Sequence, residues 1–504
     1  MGTTENKLVL SGPGSGKTTG MIDEIIEKIV SLKPCQYMAV ITYTNAATEN
    51  IKEQLDKKIP IPHNLFIGTI HSFLNRFIVI PYAPLLNVCP SDMCYIDEIA
   101  VNDTRLRNLV NKQARDKGII TYDQIEWIAE KIICSGSIKR NSSTVKITKK
   151  TSNLVLDIVS NRLQAIFVDE YQDATLTQHK IFKRIISTGN IEYFYCVGDS
   201  EQYIYGFTYP RKGKKKPKYI SIPIKDFENS NDMLTEIKNE NYRSSTEIVT
   251  LLNRLSQIQQ RAESEFAQKI PVYHIRETDF DGIIERFQKI CERYGLRNQK
   301  TYYLAHNNKT VGNFEVKGLP KISNDAFKYN RMLSEILKYI SGVLGISQRK
   351  LCESKNMSKL EMRKVGCELL EKILKDSSVD SDKLKSIIAD KFGMSISGKY
   401  KGEQTLAKLK GLYLKKQQTN GDYCSTIHQA KGLQADAVLV VAENEKKYQK
   451  WLEADKTARE NDESDECRLG FVAFSRAKKL LCLACLKDIE KMKGELDNYG
   501  IKIV

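Results

Sequence analysis

The chain has 504 residues, enough for roughly three domains with separate cores. Its 41% hydrophobic and 28% charged residues suit a globular protein, and no apolar run approaches the roughly 20 residues that a bilayer span requires. A formal net charge of +16 favours a polyanionic partner without identifying one. Met1 to Asn6 leads into apolar residues with no basic stretch, so no secretory signal is expected and the protein is placed in the cytoplasm. Among twelve cysteines the sole Cys-x-x-Cys, Cys482 to Cys485, lies inside the apolar Leu480 to Leu486, where reduced thiols pack as small hydrophobes.

The first predicted element is a short buried strand, Lys7-Leu-Val-Leu10. Ser11-Gly-Pro-Gly-Ser-Gly-Lys-Thr18 follows it, then a helical run from Thr19 to Val30. Strand, glycine loop and helix in that order are the context of a phosphate-binding loop. Gly12, Gly14 and Gly16 let backbone amides turn toward one point with no side chain in the way. The helix offers its positive end to the same point. Lys17 is expected to neutralise the β and γ phosphates of ATP, and the Thr18 hydroxyl to hold Mg2+. Pro13, Ser15 and Thr19 complete the contact set. The strict pattern starts with Gly, and Ser11 in that place is small enough to keep the loop.

The second half of the site is expected far downstream. Leu163-Gln-Ala-Ile-Phe-Val168 reads as a buried strand ending in Asp169-Glu170, and open α/β sheets bind ligands at that end of their strands. Asp169 is suited to hold the metal and Glu170 to deprotonate an attacking water. Taken alone, two acids there would read as solvated helix caps; beside a phosphate loop they do not. Further on, Arg211-Lys-Gly-Lys-Lys-Lys-Pro-Lys218 is almost wholly basic and lacks apolar periodicity, which by itself describes a solvated loop.

Asp169-Glu-Tyr-Gln-Asp173 resembles the DExQD signature of UvrD/Rep-like superfamily 1 DNA helicases, and other blocks occur in that family's order. These are Thr42-Tyr-Thr-Asn-Ala-Ala47, Gly68-Thr-Ile-His-Ser-Phe73, Gly198-Asp-Ser-Glu-Gln-Tyr-Ile-Tyr-Gly-Phe207 and Asn241-Tyr-Arg-Ser244. Ser425-Thr-Ile-His-Gln-Ala-Lys-Gly-Leu433 and Arg468 to Lys478 complete the set. The resemblance implies an α/β fold with two RecA-like P-loop motor domains, each with a parallel sheet and a short, mainly helical insertion. Residues 1–75 and 160–240 are assigned to the first lobe and 76–159 to its insertion. Residues 241–324 and 421–504 are assigned to the second lobe and 325–420 to a Lys-rich helical insertion (Met332 to Val343, Ser358 to Leu374, Ser381 to Phe392).

The same resemblance implies residue roles. Gln202 senses the γ phosphate, and Arg243 and Arg476 act as arginine fingers from the second lobe. Tyr242 stacks on adenine. Tyr43, Tyr205 and Phe207 stack on bases, while Thr42, Asn45, His71 and His428 contact the strand; such stacking tolerates any sequence because every base has a π face. The basic run directly follows Phe207, which raises it, through Lys214 and Lys215, to a phosphate-contacting loop.

Departures from the family pattern carry their own expectations. Ten residues precede the glycine loop, leaving no room for the upstream Gln that reads adenine, so GTP and other NTPs are expected to be accepted. Gln434 stands where a Glu contacts the ribose, and Thr208 where an Arg often follows the aromatic. Both insertions are short, and only Lys487 to Val504 follow the final strand, so no appended nuclease is expected. That compact layout resembles the helicase-like subunits of Gabija antiphage systems, which work beside a nuclease of the OLD family. The leading reading is an ATP-driven 3′ to 5′ motor on single-stranded or tailed DNA. Its alternative is a DNA-sensing, ATP-switched regulatory subunit of a nuclease complex, with little unwinding of its own.

Overall fold

The computed structural model describes residues 5–90, 95–97, 104–116, 118–140, 143–204, 222–264, 269–321, 328–357, 359–375, 379–396, 421–489 and 492–504. Chain contacts divide it into one unit of residues 1–322 with 422–504, and a second of residues 323–421.

Two six-stranded sheets organise the larger unit. In the first, β1 (Glu5–Ser11), β2 (Tyr37–Thr42), β3 (Leu65–Thr69), β4 (Leu163–Val168), β5 (Tyr193–Gly198) and β6 (Leu234–Lys238) lie in the order β6-β1-β5-β4-β2-β3. All of these strands are parallel. Every residue of β4 and β5 is buried, because helices cover both faces of the sheet. Two apolar clusters result. One holds Val9, Met21, Ile25 and Val40, and the other Leu8, Ile41, Phe73, Phe77 and Phe182.

The second sheet holds β7 (Val272–Ile275), β8 (Thr301–Ala305), β9 (Asp422–Thr426), β10 (Ala435–Ala442), β11 (Ala477–Cys485) and β12 (Ile501–Ile503), ordered β9-β8-β10-β11-β7-β12. It too is wholly parallel. Cys482 and Cys485 lie buried in β11, where Cys482 belongs to the apolar cluster with Leu439 and Val441. The large side chains Trp451, Phe471 and Phe474 fill the cluster on the other face.

Residues 76–159 contain more than helices. A parallel pair joins Tyr95–Asp97 to Ile119–Thr121, and an antiparallel ribbon pairs Gly136–Lys139 with Thr144–Ile147. Gly136 and the left-handed Ser135 start that ribbon at the end of helix Ile125–Cys134. The same helix buries Ile125, Ile128, Ala129, Ile132 and Ile133 in the cluster that holds Phe73 and Phe182, so the insertion shares the core of its lobe.

In the smaller unit, helices Lys328–Leu344, Gln348–Ser354, Lys359–Lys375 and Ser381–Phe392 surround a core of Leu333, Ile336, Ile340, Leu370, Ile373 and Ile388. Apolar residues recurring three and four apart along these helices place one stripe of each inside. Among the described residues no helix is long and apolar enough to cross a membrane.

Candidate nucleotide site and nucleic-acid interface

β1 delivers the chain to Ser11, and the loop then turns through Gly14 and Gly16 before helix Lys17–Ile29 begins. Both glycines are left-handed, with φ of +75° and +72°. A Cβ on Gly14 would lie 2.6 Å from Asn241 Oδ1 and 2.7 Å from Arg243 Cβ, so the second lobe also leaves no room for one. Lys17 is buried, its ammonium has no hydrogen-bond partner, and it stands 3.8 Å from the Glu170 carboxylate. A buried ammonium without hydrogen bonds is costly, and a phosphate would supply them. The Ser15 hydroxyl is likewise buried without a partner, while Thr18 is half-buried in the first helical turn.

The acidic pair lies at the carboxyl end of β4. Asp169 is buried and its Oδ1 accepts from the Glu170 amide at 2.9 Å. Glu170 takes a left-handed backbone, φ +51°, a costly conformation for a residue with a Cβ. The two carboxyls are pushed apart. Burial, then the neighbouring charge of Glu170, raises Asp169 to about 7. Burial also opposes ionisation of Glu170, but Lys17, Lys431, the Gln172 hydrogen bond and Arg476 outweigh it and hold Glu170 at about 2. One carboxylate is thus kept as a charged base. The other would be ionised fully by a cation beside it, so the residues present fit a magnesium ion held by Thr18 and Asp169.

The second lobe closes over this loop. Asn241 Nδ2 donates to Pro13 O at 2.8 Å, and the Tyr242 amide donates to Gly14 O at 2.9 Å. Tyr242 itself is 61% exposed, and its ring passes 3.9 Å from where a Gly16 Cβ would stand. Arg243 Nη1 donates to Ser475 O at 3.0 Å, leaving Nε buried without a partner. Arg476 is almost fully buried and donates through Nη2 to Gln202 Oε1 at 3.2 Å. Burial, then Arg243, lowers its guanidinium to about 9 against the pull of Glu170. Gln202 is fixed in turn by Asp199 Oδ2 at 2.8 Å. Lys17, Asp169, Glu170, Gln202, Arg243 and Arg476 therefore meet in one place. Gln434 lies exposed on the turn into β10.

Several residues in this cluster had no separate role in the sequence reading. Gln172 is fully buried and joins the acidic pair to the next block, donating to Glu170 Oε2 and accepting from the Asp199 amide at 3.0 Å. Asp173 receives Lys431 Nζ on both oxygens at 2.7 Å, and the same ammonium donates to Gln202 O at 2.9 Å. Burial raises Asp173 to about 6 in spite of Lys431. Glu201 pairs with Arg459 at 2.5 Å, both side chains 4% exposed, and Arg468 Nε donates to Tyr203 O at 3.2 Å. Gln172, Asp173 and Lys431 stood inside quoted motifs; Arg459 lies outside every one of them, and no local pattern marks it.

The strand-contact residues divide. Asn45 is exposed at the start of helix Asn45–Asp56, and Tyr43, His71 and His428 are half-buried. Burial, then His306, lowers His428 to about 4, so its imidazole is neutral at physiological pH. Thr42 is reassigned from contact to support. It is fully buried, and its hydroxyl is taken up by Thr48 Oγ1 at 2.7 Å and Thr44 O at 3.0 Å. Tyr205, Phe207, Lys214 and Lys215 lie outside the described residues.

A phosphate loop on one parallel sheet, an acidic pair two strands away and two arginines reaching in from the second lobe define a two-lobed P-loop nucleotide-binding protein. An AAA-domain model matches residues 2–208, and a model of the UvrD-like helicase C-terminal domain matches residues 370–488. The chain belongs to the UvrD-like helicases of superfamily 1. It is similar to the ATP-dependent DNA helicase Rep of Buchnera aphidicola, 25% identical over 49% of this chain and 40% of that protein. It is similar also to the Gabija protein GajB of Bacillus cereus (24%, over 66% of this chain and 65% of that one). A third relative is the ATP-dependent DNA helicase PcrA of Staphylococcus aureus (26%, 50% and 38%). The chain spans less than two thirds of the length of each of these relatives.

Proposed function

We propose that this protein is a nucleic-acid-dependent ATPase that moves 3′ to 5′ along single-stranded DNA and separates tailed duplexes. The observation that carries this reading is the buried ammonium of Lys17, without a hydrogen bond and facing Glu170, with Arg243 and Arg476 of the other lobe converging on the same point. Glu170, held ionised, accepts the proton of the attacking water as the bond from the γ phosphorus to its bridging oxygen breaks. Lys17, Arg243 and Arg476 stabilise the charge that develops on the transferred group and on the ADP leaving it. A magnesium ion held by Thr18 and Asp169 supplies further charge neutralisation when bound. Because this set draws on both lobes, closure around the nucleotide is tied to the lobe contacts that grip the strand.

The likeness to a Gabija protein supports a place in antiviral defence beside a partner nuclease of the OLD family. The short unit of residues 323–421 supports the competing reading, an ATP-switched DNA sensor that controls such a nuclease and unwinds little. Strand displacement on a duplex with a 3′ tail separates the two. The motor reading expects single-stranded DNA to stimulate hydrolysis and the displaced strand to accumulate with ATP; hydrolysis without displacement would favour the sensor. Glu170→Gln is expected to bind ATP as the wild type does and to lose about 10²–10⁴-fold in turnover, since the amide keeps the shape and loses the base. Normal turnover in that variant would assign the base elsewhere.

A further inference from the structure

Among the described residues, two aromatic side chains are well exposed: Tyr242, at the nucleotide loop, and Tyr122, at 46%. Tyr122 opens the 3-10 turn Tyr122–Gln124 in the first-lobe insertion, and its ring stacks on that of His71 with centroids 4.5 Å apart and planes 26° from parallel. The turn that carries it is rigid. Thr121, Gln124 and Ile125 on either side are buried. The Thr121 hydroxyl is bonded to Asn111 Oδ1 at 2.9 Å and to Asp123 Oδ1 at 2.6 Å, and Gln124 Oε1 accepts from Arg115 at 2.5 Å. The Asp123 carboxylate is thereby turned back onto its own turn.

His71 is held from the other side. Its Nε2 lies 3.5 Å from Glu126 Oε1, and Glu126 is anchored by Thr175 Oγ1 at 3.0 Å and Gln178 Nε2 at 2.6 Å. An exposed tyrosine ring, backed by a fixed imidazole and standing on an immobile turn, has the construction of a base-stacking platform, with little side-chain freedom left to lose on binding.

We propose that Tyr122 and His71 form a two-ring step on which one base of a single-stranded nucleic acid stacks, so that the first-lobe insertion contributes directly to strand binding. This rests on the motor reading above, and the test keeps the two apart. Binding of fluorescein-labelled oligo-dT to the full chain is measured by anisotropy for the wild type, Tyr122→Ala and Tyr122→Phe, with DNA-free ATP hydrolysis as the control for folding. Tyr122→Ala is expected to weaken binding about 5- to 150-fold, with Tyr122→Phe within about twofold of the wild type and basal hydrolysis unchanged. Wild-type affinity in Tyr122→Ala, or equal losses in Ala and Phe, overturns the step while leaving the motor reading in place. A wild type that binds no oligonucleotide overturns both.

Discussion

Lys17→Ala is expected to abolish nucleotide hydrolysis in a protein that still folds. The Lys17 ammonium makes no hydrogen bond in the protein but is a counter-charge of the buried acidic cluster, 3.8 Å from Glu170 and near enough to Asp169, Asp173 and Asp199 to favour their ionised forms. Removing it takes a counter-charge from those carboxyls, so the thermal midpoint should fall, while Lys431 and Arg476 still balance Glu170 and the protein still folds. For catalysis the loss is large. A fixed charge aimed at the transferred phosphoryl group is worth at least about 10²–10³-fold in turnover. Steady-state hydrolysis with and without single-stranded DNA, beside a melting curve, checks both halves. Turnover within tenfold of the wild type would mean that another group holds the γ phosphate.

The second large effect is on the joint between the lobes. Arg459→Leu would leave the Glu201 carboxylate buried with its counter-charge gone, which costs about 3–5 kcal/mol. The Glu201→Leu, Arg459→Leu double variant replaces both charges by apolar groups and should recover most of that loss. Urea unfolding of the two single variants and the double one measures it. Glu201 directly precedes Gln202, whose side chain meets Arg476 of the second lobe. The stable double variant should therefore still bind ATP and respond less to DNA. A wild-type urea midpoint for Arg459→Leu would show that the pair does not hold the lobes together.

How much of this could be read from residues alone depends on the kind of constraint. The glycine loop was legible because φ near +75° at Gly14 and the close approach of Asn241 and Arg243 restrict residue type at a single position. The first sheet was legible at β1 and β4, buried strands that each run into the site, while the second was reached only through the family resemblance. Thr42 shows the limit of a motif. Membership in a block does not say which way a side chain faces, and burial with Thr48 turned this one inward. The Glu201–Arg459 pair was illegible, since partners 258 positions apart leave no periodicity. The two small sheets of the first-lobe insertion escaped for a related reason: strands of three or four residues are too short to show alternation above a helical background.

The strand order also decides when each lobe can exist. β1 begins at Glu5 but is flanked by β5 and β6, so the phosphate loop has no finished floor until Leu234–Lys238 has been synthesised. In the second lobe β10 needs β11, and the edge strand Ile501–Ile503 is made more than 260 residues after β6. Parallel pairing of distant segments is slow to form and leaves strand edges open meanwhile. The nascent first lobe should therefore assemble well ahead of its partner and wait with the face that meets Asn241 and Arg476 uncovered. That face carries the charged Glu201 and Asp173 and the polar Gln202, so water can cover it until the second lobe arrives.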